Sequence, residues 1–176
     1  MRPSTAYFLM FAATVLASAC GGDVSSTTAS PASASLARGQ GRESLPFRGT
    51  VTTADQGVVA PPNLLVNGTA EGTATHLGRY SATFEAVAPL GGNTATGSYV
   101  FTAANGDRFT ATFSGSAEPA DDGGLRFTEV LTIVSGTGRF AGATGTFTMR
   151  KIVYVDAAQG TSTGSGTMEG EIVLGR

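Results

Sequence analysis

Apolar and polar side chains alternate along most of the chain after residue 45. Residues 80–87, 98–102 and 108–114 place apolar groups at every second position, and residues 146–150 and 168–174 repeat the pattern. A period of two, rich in Thr, Phe, Tyr and Val, is typical of strands with one buried face and one solvated face. No segment after residue 45 keeps a helical period for long. The pattern therefore predicts an all-β fold.

The alternating segments predict eight strands separated by short turns. Eight antiparallel strands in about 130 residues fit either a closed barrel or a sandwich, and we expect a single antiparallel β-barrel. The domain organisation predicted is a signal peptide at 1–19, a flexible tether at 20–44 and the barrel domain at 45–176. The strands are expected near 45–54, 63–75, 78–88, 95–104, 107–118, 125–135, 144–155 and 161–174.

The turn around Asn105 determines the register of the central hairpin. A two-residue Asn-Gly turn would place Phe101 and Phe109 on opposite faces of the sheet. A three-residue loop at 104–106, with Gly106 left-handed in a G1 bulge, pairs Phe101 with Phe109 instead. Because a one-residue slip exchanges the two faces, burial of both rings favours the bulged hairpin.

The same alternation predicts which side chains face the barrel interior. Glu129 is in phase with the apolar residues of its strand, and a buried carboxylate is costly unless it is paired. It is expected to lie at the rim, to pair with Arg126, Arg150 or Lys151, or to face a lumen. Eight strands enclose room for packed side chains or one small ligand. The candidate ligand-binding residues are Tyr80, Phe84, Tyr99, Phe101, Phe109, Phe113 and Glu129, with Phe127, Ala82, Ala86 and Ala111 also facing inward.

The N-terminus has the features of an export signal. Arg2 precedes an uncharged apolar stretch at 6–16, which is too short to span a bilayer. The small residues at 17–19 suit a signal peptidase. Cys20, the only cysteine, follows them directly. It is either an ordinary first residue after cleavage or a modified one.

The segment at 16–20, Leu-Ala-Ser-Ala-Cys, resembles the lipobox of bacterial lipoproteins, although Ala17 stands where that family favours Leu. The resemblance implies that Cys20 carries lipid such as palmitate and anchors the chain to a membrane. Gly21 after the cysteine then suggests the outer membrane of the cell envelope, and secretion is the alternative. The Ser-, Thr- and Ala-rich segment that follows buries too little apolar surface to fold, and is predicted to be a flexible tether.

A glycine-rich segment at 135–147, SGTGRFAGATGTF, spans the connection between the sixth and seventh predicted strands. Its glycines do not have phosphate-loop spacing and no helix follows. The segment resembles a motif of dirigent proteins and allene oxide cyclases, whose fold is an eight-stranded antiparallel β-barrel with an apolar cavity. The resemblance supports the fold and allows a homo-oligomer, as in the plant members, but matches none of their catalytic residues. It rests on Gly136, Thr137, Gly138, Phe140, Ala143 and Gly145.

Charge and composition exclude several classes of function. The formal net charge is -2 and Lys151 is the only lysine, so no basic patch is present for nucleic acid. His76 is the only histidine, and a turn residue that caps backbone groups is the favoured role for it. One histidine and one cysteine do not make a zinc site. Asp121 and Asp122 lack the spaced oxygens of a calcium site. We therefore expect no catalytic residue of a known class, no metal and no cofactor.

Two functions remain compatible with the sequence. The first is a lipid-anchored envelope protein whose barrel binds a small apolar ligand or another envelope component. The second is a cofactor-independent, cyclase-like or dirigent-like enzyme that acts on an apolar intermediate in the lumen. The first is favoured because acid–base residues are scarce on the predicted inner face. A packed barrel without a ligand is a third alternative.

Overall fold

The computed structural model describes residues 42–175, which form a closed eight-stranded antiparallel β-barrel. Each strand pairs with the next along the chain, and β8 closes the barrel against β1. The predicted barrel is therefore confirmed, and most predicted boundaries agree with the structure within one residue. The strands are β1 Leu45–Ala60, β2 Asn63–Ala74, β3 Gly78–Pro89, β4 Thr94–Ala103, β5 Arg108–Pro119, β6 Leu125–Gly136, β7 Thr144–Asp156 and β8 Thr161–Val173.

The β4–β5 hairpin has the bulged register. Phe101 pairs with Phe109, the Ala103 amide donates to the Asp107 carbonyl, and Gly106 is left-handed with φ 87°. Glycine adopts that backbone conformation at little cost. The register confirms that Phe101 and Phe109 share the inner face, where both are buried.

The first strand is longer than the sequence pattern predicted. It continues to Ala60, six residues beyond the expected end at 54; β2 pairs with the whole extension, whereas β8 pairs with it only as far as Gln56. Of the inward-phase positions 55, 57 and 59 only Val59 is large and apolar, so the alternation here is weak in the sequence. The extension lengthens the barrel wall and places Asp55 on its inner face, with partial exposure.

The two ends of the barrel differ. The connections at 75–77, 104–107 and 137–143 form one end, which we call the closed end. There a 3-10 turn at Gly138–Phe140 carries the fully buried Phe140, and Leu77 is 1% exposed. The opposite end, formed by residues 61–62, 90–93, 120–124 and 157–160, is called the open end.

The predicted signal peptide, Cys20 and the tether up to residue 41 lie outside the described residues. At the start of the described part, Arg42 donates to the Gly142 carbonyl and Ser44 to Glu171, so the chain enters β1 at the closed end. No helix between residues 42 and 175 is long and apolar enough to cross a membrane.

Candidate functional site

Packed side chains fill the barrel interior in the half next to the closed end. The rings of Phe101 and Phe109 stack with centroids 4.8 Å apart, and Phe47 and Phe147 approach to 4.6 Å. Phe140 packs edge-on against Phe109 at 5.3 Å. These rings contact one another because every second residue of each strand faces the barrel interior. Close-packed aromatic groups leave little free volume there.

The half next to the open end is hollow. It holds a cavity of about 400 Å³, within the range of small-molecule sites. The wall is predominantly apolar because inward positions here hold short or branched aliphatic groups between a few rings. The apolar lining consists of Val59, Leu64, Val66, Phe84, Ala86, Ala88, Ala95, Phe113, Leu125, Phe127, Val153, Val155 and Ala157. The interior therefore combines a filled core with a lumen.

Three polar side chains meet at the inner end of this cavity. The Lys151 ammonium lies 3.0 Å from Glu129 Oε1 and donates to the Tyr99 hydroxyl at 3.0 Å. That hydroxyl in turn donates to Glu129 Oε2 at 3.1 Å. The side chains of Glu129 and Lys151 are each 5% exposed. Every member thus has a partner, which a buried polar network requires. We call Tyr99, Glu129 and Lys151 the polar triad.

Aromatic rings surround the ammonium of the triad. Lys151 Nζ lies 5.3 Å from the ring centroid of Phe84, and 5.7 Å from those of Tyr99 and Phe127. These distances fall within the range of cation–π attraction. The rings and the Glu129 carboxylate together compensate the charge for its lost hydration.

The triad also fixes the protonation of its phenol. Burial raises the pKa of Tyr99 well above its usual range, and the neighbouring Glu129 carboxylate raises it further through its charge and hydrogen bond. Both effects favour the neutral form. Tyr99 is therefore held as a neutral hydrogen-bond donor and acceptor between two charged groups.

A second carboxylate lines the cavity apart from the triad. Asp55 projects inward from the extended part of β1 and accepts a hydrogen bond from the Ser162 hydroxyl. Its Cβ and the ring of Phe84 both lie over Gly68, where a Cβ would overlap them. The bare backbone at Gly68 thus lets a carboxylate and an aromatic ring lie side by side on the wall.

The predicted ligand-binding residues divide between the two halves. Glu129, Phe84 and Phe113 line the cavity, and Tyr99 lies next to it through its bonds to Glu129 and Lys151. Their binding role stays a prediction.

The remaining three lie in the packed core. Phe101 and Phe109 belong to the stacked rings, and the Tyr80 hydroxyl donates to the Thr50 carbonyl at 2.9 Å. The structure therefore places Tyr80, Phe101 and Phe109 outside the cavity lining.

Two charged residues of the site, Lys151 and Asp55, are not among the site residues predicted from the sequence. Lys151 was named only as one of three partners for Glu129, yet it is in phase with the inward-facing Phe147, Met149 and Val153. That phase could have identified it. Asp55 was missed because β1 was predicted to end one residue earlier.

Other polar features do not converge on a site. His76 Nε2 contacts the Pro46 carbonyl at 3.2 Å in a turn, which agrees with the predicted backbone-capping role. Two grooves on the outer wall are lined largely by threonine and serine, including Thr52, Thr69 and Thr83. Among residues 42–175 no group of three or more His, Cys, Asp and Glu side chains is arranged to hold a metal ion.

Comparison with solved structures matches the chain to a pterocarpan synthase dirigent protein. The two are 14% identical, the match covers 83% of this chain and 98% of that chain, and the TM-score is 0.47. No protein-family model matches the chain, and no curated protein matches its sequence.

Proposed function

We propose that the barrel binds a small, mainly apolar ligand in the hollow half of its lumen. The cavity of about 400 Å³ is the observation that supports this proposal. A protein that needed only a stable barrel gains by filling such a space, since unfilled apolar volume costs packing energy. The polar triad at the inner end gives the ligand a point of orientation, as a few polar groups do in most small-molecule sites.

The triad also supports a second candidate, a cofactor-independent cyclase-like or dirigent-like enzyme. Glu129 offers a carboxylate beside a neutral phenol and an ammonium, and rings stand close to them. Such a set can stabilise charge that develops on an apolar intermediate, in a site that excludes water. Turnover of a bound ligand, abolished by Glu129→Gln, would favour this candidate over simple binding.

We further propose that Cys20 is acylated and holds the protein at a membrane of the cell envelope. The lipobox-like residues at 16–20 and the polar segment after them support this step. Two or more acyl chains on one residue give stable anchoring, whereas a single chain binds marginally. The barrel would then work as a ligand carrier or receptor close to a lipid surface.

The binding proposal is tested by titrating an apolar fluorescent probe into the full chain carrying Cys20→Ser. We expect saturable binding to one site per barrel. Ala86→Trp, on the cavity wall, should abolish binding by filling the lumen. Ala54→Trp, on the exposed outer face of β1, is the matched control and should bind normally. Equal binding by both variants, or no binding by the parent chain, would refute the proposal.

A further inference from the structure

The charges on the cavity wall do not balance. Its charged side chains are two carboxylates, Asp55 and Glu129, and one ammonium, Lys151. The Lys151 ammonium already lies 3.0 Å from Glu129 Oε1 and donates a hydrogen bond to the Tyr99 hydroxyl. One net negative charge therefore remains inside a largely apolar lumen.

Asp55 carries this excess charge. Its hydrogen-bond partner is the neutral Ser162 hydroxyl, and no Lys, Arg or His in the described part of the chain forms an ion pair with it. The side chain is partly exposed and borders the cavity. A carboxylate in this position attracts cations and repels anions, more strongly than in bulk water because the apolar wall lowers the local dielectric.

The surroundings of Asp55 also suit a cation. The Phe84 ring lies beside it over Gly68, and this ring already has the Lys151 ammonium 5.3 Å from its centroid. An aromatic wall next to a carboxylate is the combination that recognises organic ammonium groups. The remaining lining is aliphatic and suits the ligand's hydrocarbon part.

We infer that the ligand is an amphipathic organic cation: an apolar body that fills the lumen and one ammonium group that pairs with Asp55. The inference rests on the proposed binding function and adds the charge of the ligand to it. Lys151 and Glu129 are already paired with each other, so neither supplies the counter-charge for the ligand. Anionic amphiphiles such as fatty acids are disfavoured, because Asp55 repels their carboxylate and Lys151 is already neutralised.

The test compares three probes that share one hydrocarbon chain and differ in head group: decylammonium, decanol and decanoate. Each is titrated calorimetrically, below its aggregation concentration, into the full chain carrying Cys20→Ser. Decylammonium should bind at least about tenfold more tightly than decanol, as a hydrogen bond to a charged group provides. Decanoate should bind more weakly than decanol.

Asp55→Asn should remove the preference for decylammonium and leave decanol binding unchanged. Glu85→Gln makes the same change of charge on an exposed position of β3 and is the matched control. The inference is overturned, while the binding function stands, if decylammonium binds no more tightly than decanol. It is also overturned if decylammonium still binds more tightly than decanol in Asp55→Asn. If none of the three probes binds, the proposed function itself fails.

Discussion

Lys151 is the diagonal neighbour of Glu129 across the β6–β7 pair. Glu129 pairs in register with Met149, so Lys151 lies two residues further along the adjacent strand with its Nζ 3.0 Å from Glu129 Oε1. Long side chains reach diagonal partners on one face of a sheet. The register of β7 therefore makes the buried carboxylate tolerable and sets the inner limit of the cavity.

Removing one member of this pair should cost much more stability than removing both. Lys151→Met leaves the Glu129 carboxylate buried without a counter-charge, and we expect the free energy of unfolding to fall by about 3–5 kcal/mol. Glu129→Gln together with Lys151→Met should recover much of the loss. Denaturant unfolding of the two single variants and the double variant measures the coupling.

The exposed pair of Arg48 and Glu169 provides the control for that cycle. Its side chains are 71% and 65% exposed, so Arg48→Met should leave the unfolding midpoint almost unchanged. Additive effects at Glu129 and Lys151, with no coupling, would contradict the interpretation of the triad as a charge-compensating network.

The alternation of side chains predicted the eight strands, which fit either a barrel or a sandwich, and it identified only part of the site. Phe84, Phe113 and Glu129 are predicted correctly as inward-facing, because each is in phase with the apolar residues of a strongly alternating strand. What alternation cannot show is how far along the lumen each position lies. Phe101 and Phe84 look equivalent in sequence, yet one packs in the filled half and the other lines the cavity.

Strand pairing across the barrel is the other feature of the site that the sequence pattern does not predict. Asp55 and Lys151 belong to strands far apart in the chain, and their positions depend on where β1 ends and how β7 and β8 register. Weak alternation in residues 55–60 hid that extension. Such long-range geometry follows from strand pairing in the folded barrel, which local patterns do not specify.

Gly68 should tolerate no side chain. A Cβ there would overlap the Phe84 ring and the Asp55 Cβ, so Gly68→Ala must displace the ring that borders both the cavity and Lys151. We expect lower thermal stability and weaker probe binding. Gly57→Ala is the matched control on the cavity wall, because its nearest neighbour is a flexible Leu64 methyl group at 3.2 Å. Similar losses in both variants would show that the overlap at Phe84 is not the cause.

Cys20→Ser should release the protein from membranes. Expressed in a bacterium with lipoprotein processing, the parent chain is expected in the detergent phase, with an intact mass that starts at Cys20 and includes acyl chains. The serine variant should remain unprocessed or partition into the aqueous phase. Ser18→Ala keeps small residues at the cleavage site and serves as the control. An unmodified mature chain would refute the anchor.

Stability should decline above about pH 10, where unfolded tyrosines ionise. Burial raises the pKa of Tyr80 well above its usual range, and burial with the Glu129 carboxylate does the same for Tyr99. The folded state therefore keeps both phenols neutral while the unfolded state loses their protons. The stabilisation is complete below the unfolded pKa and is lost as pH rises, by up to about 1.4 kcal/mol per pH unit for each phenol.

Denaturant unfolding between pH 8 and 11 measures this slope, and the ultraviolet phenolate band reports which tyrosines ionise. Of the four tyrosines, Tyr80 and Tyr99 should remain un-ionised until the barrel unfolds. Tyr80→Phe should reduce the slope by one phenol, whereas Tyr154→Phe, at an exposed position, should leave the protected pair unchanged. If all phenols of a still-folded barrel ionised near pH 10, Tyr99 could not be the neutral link between Glu129 and Lys151.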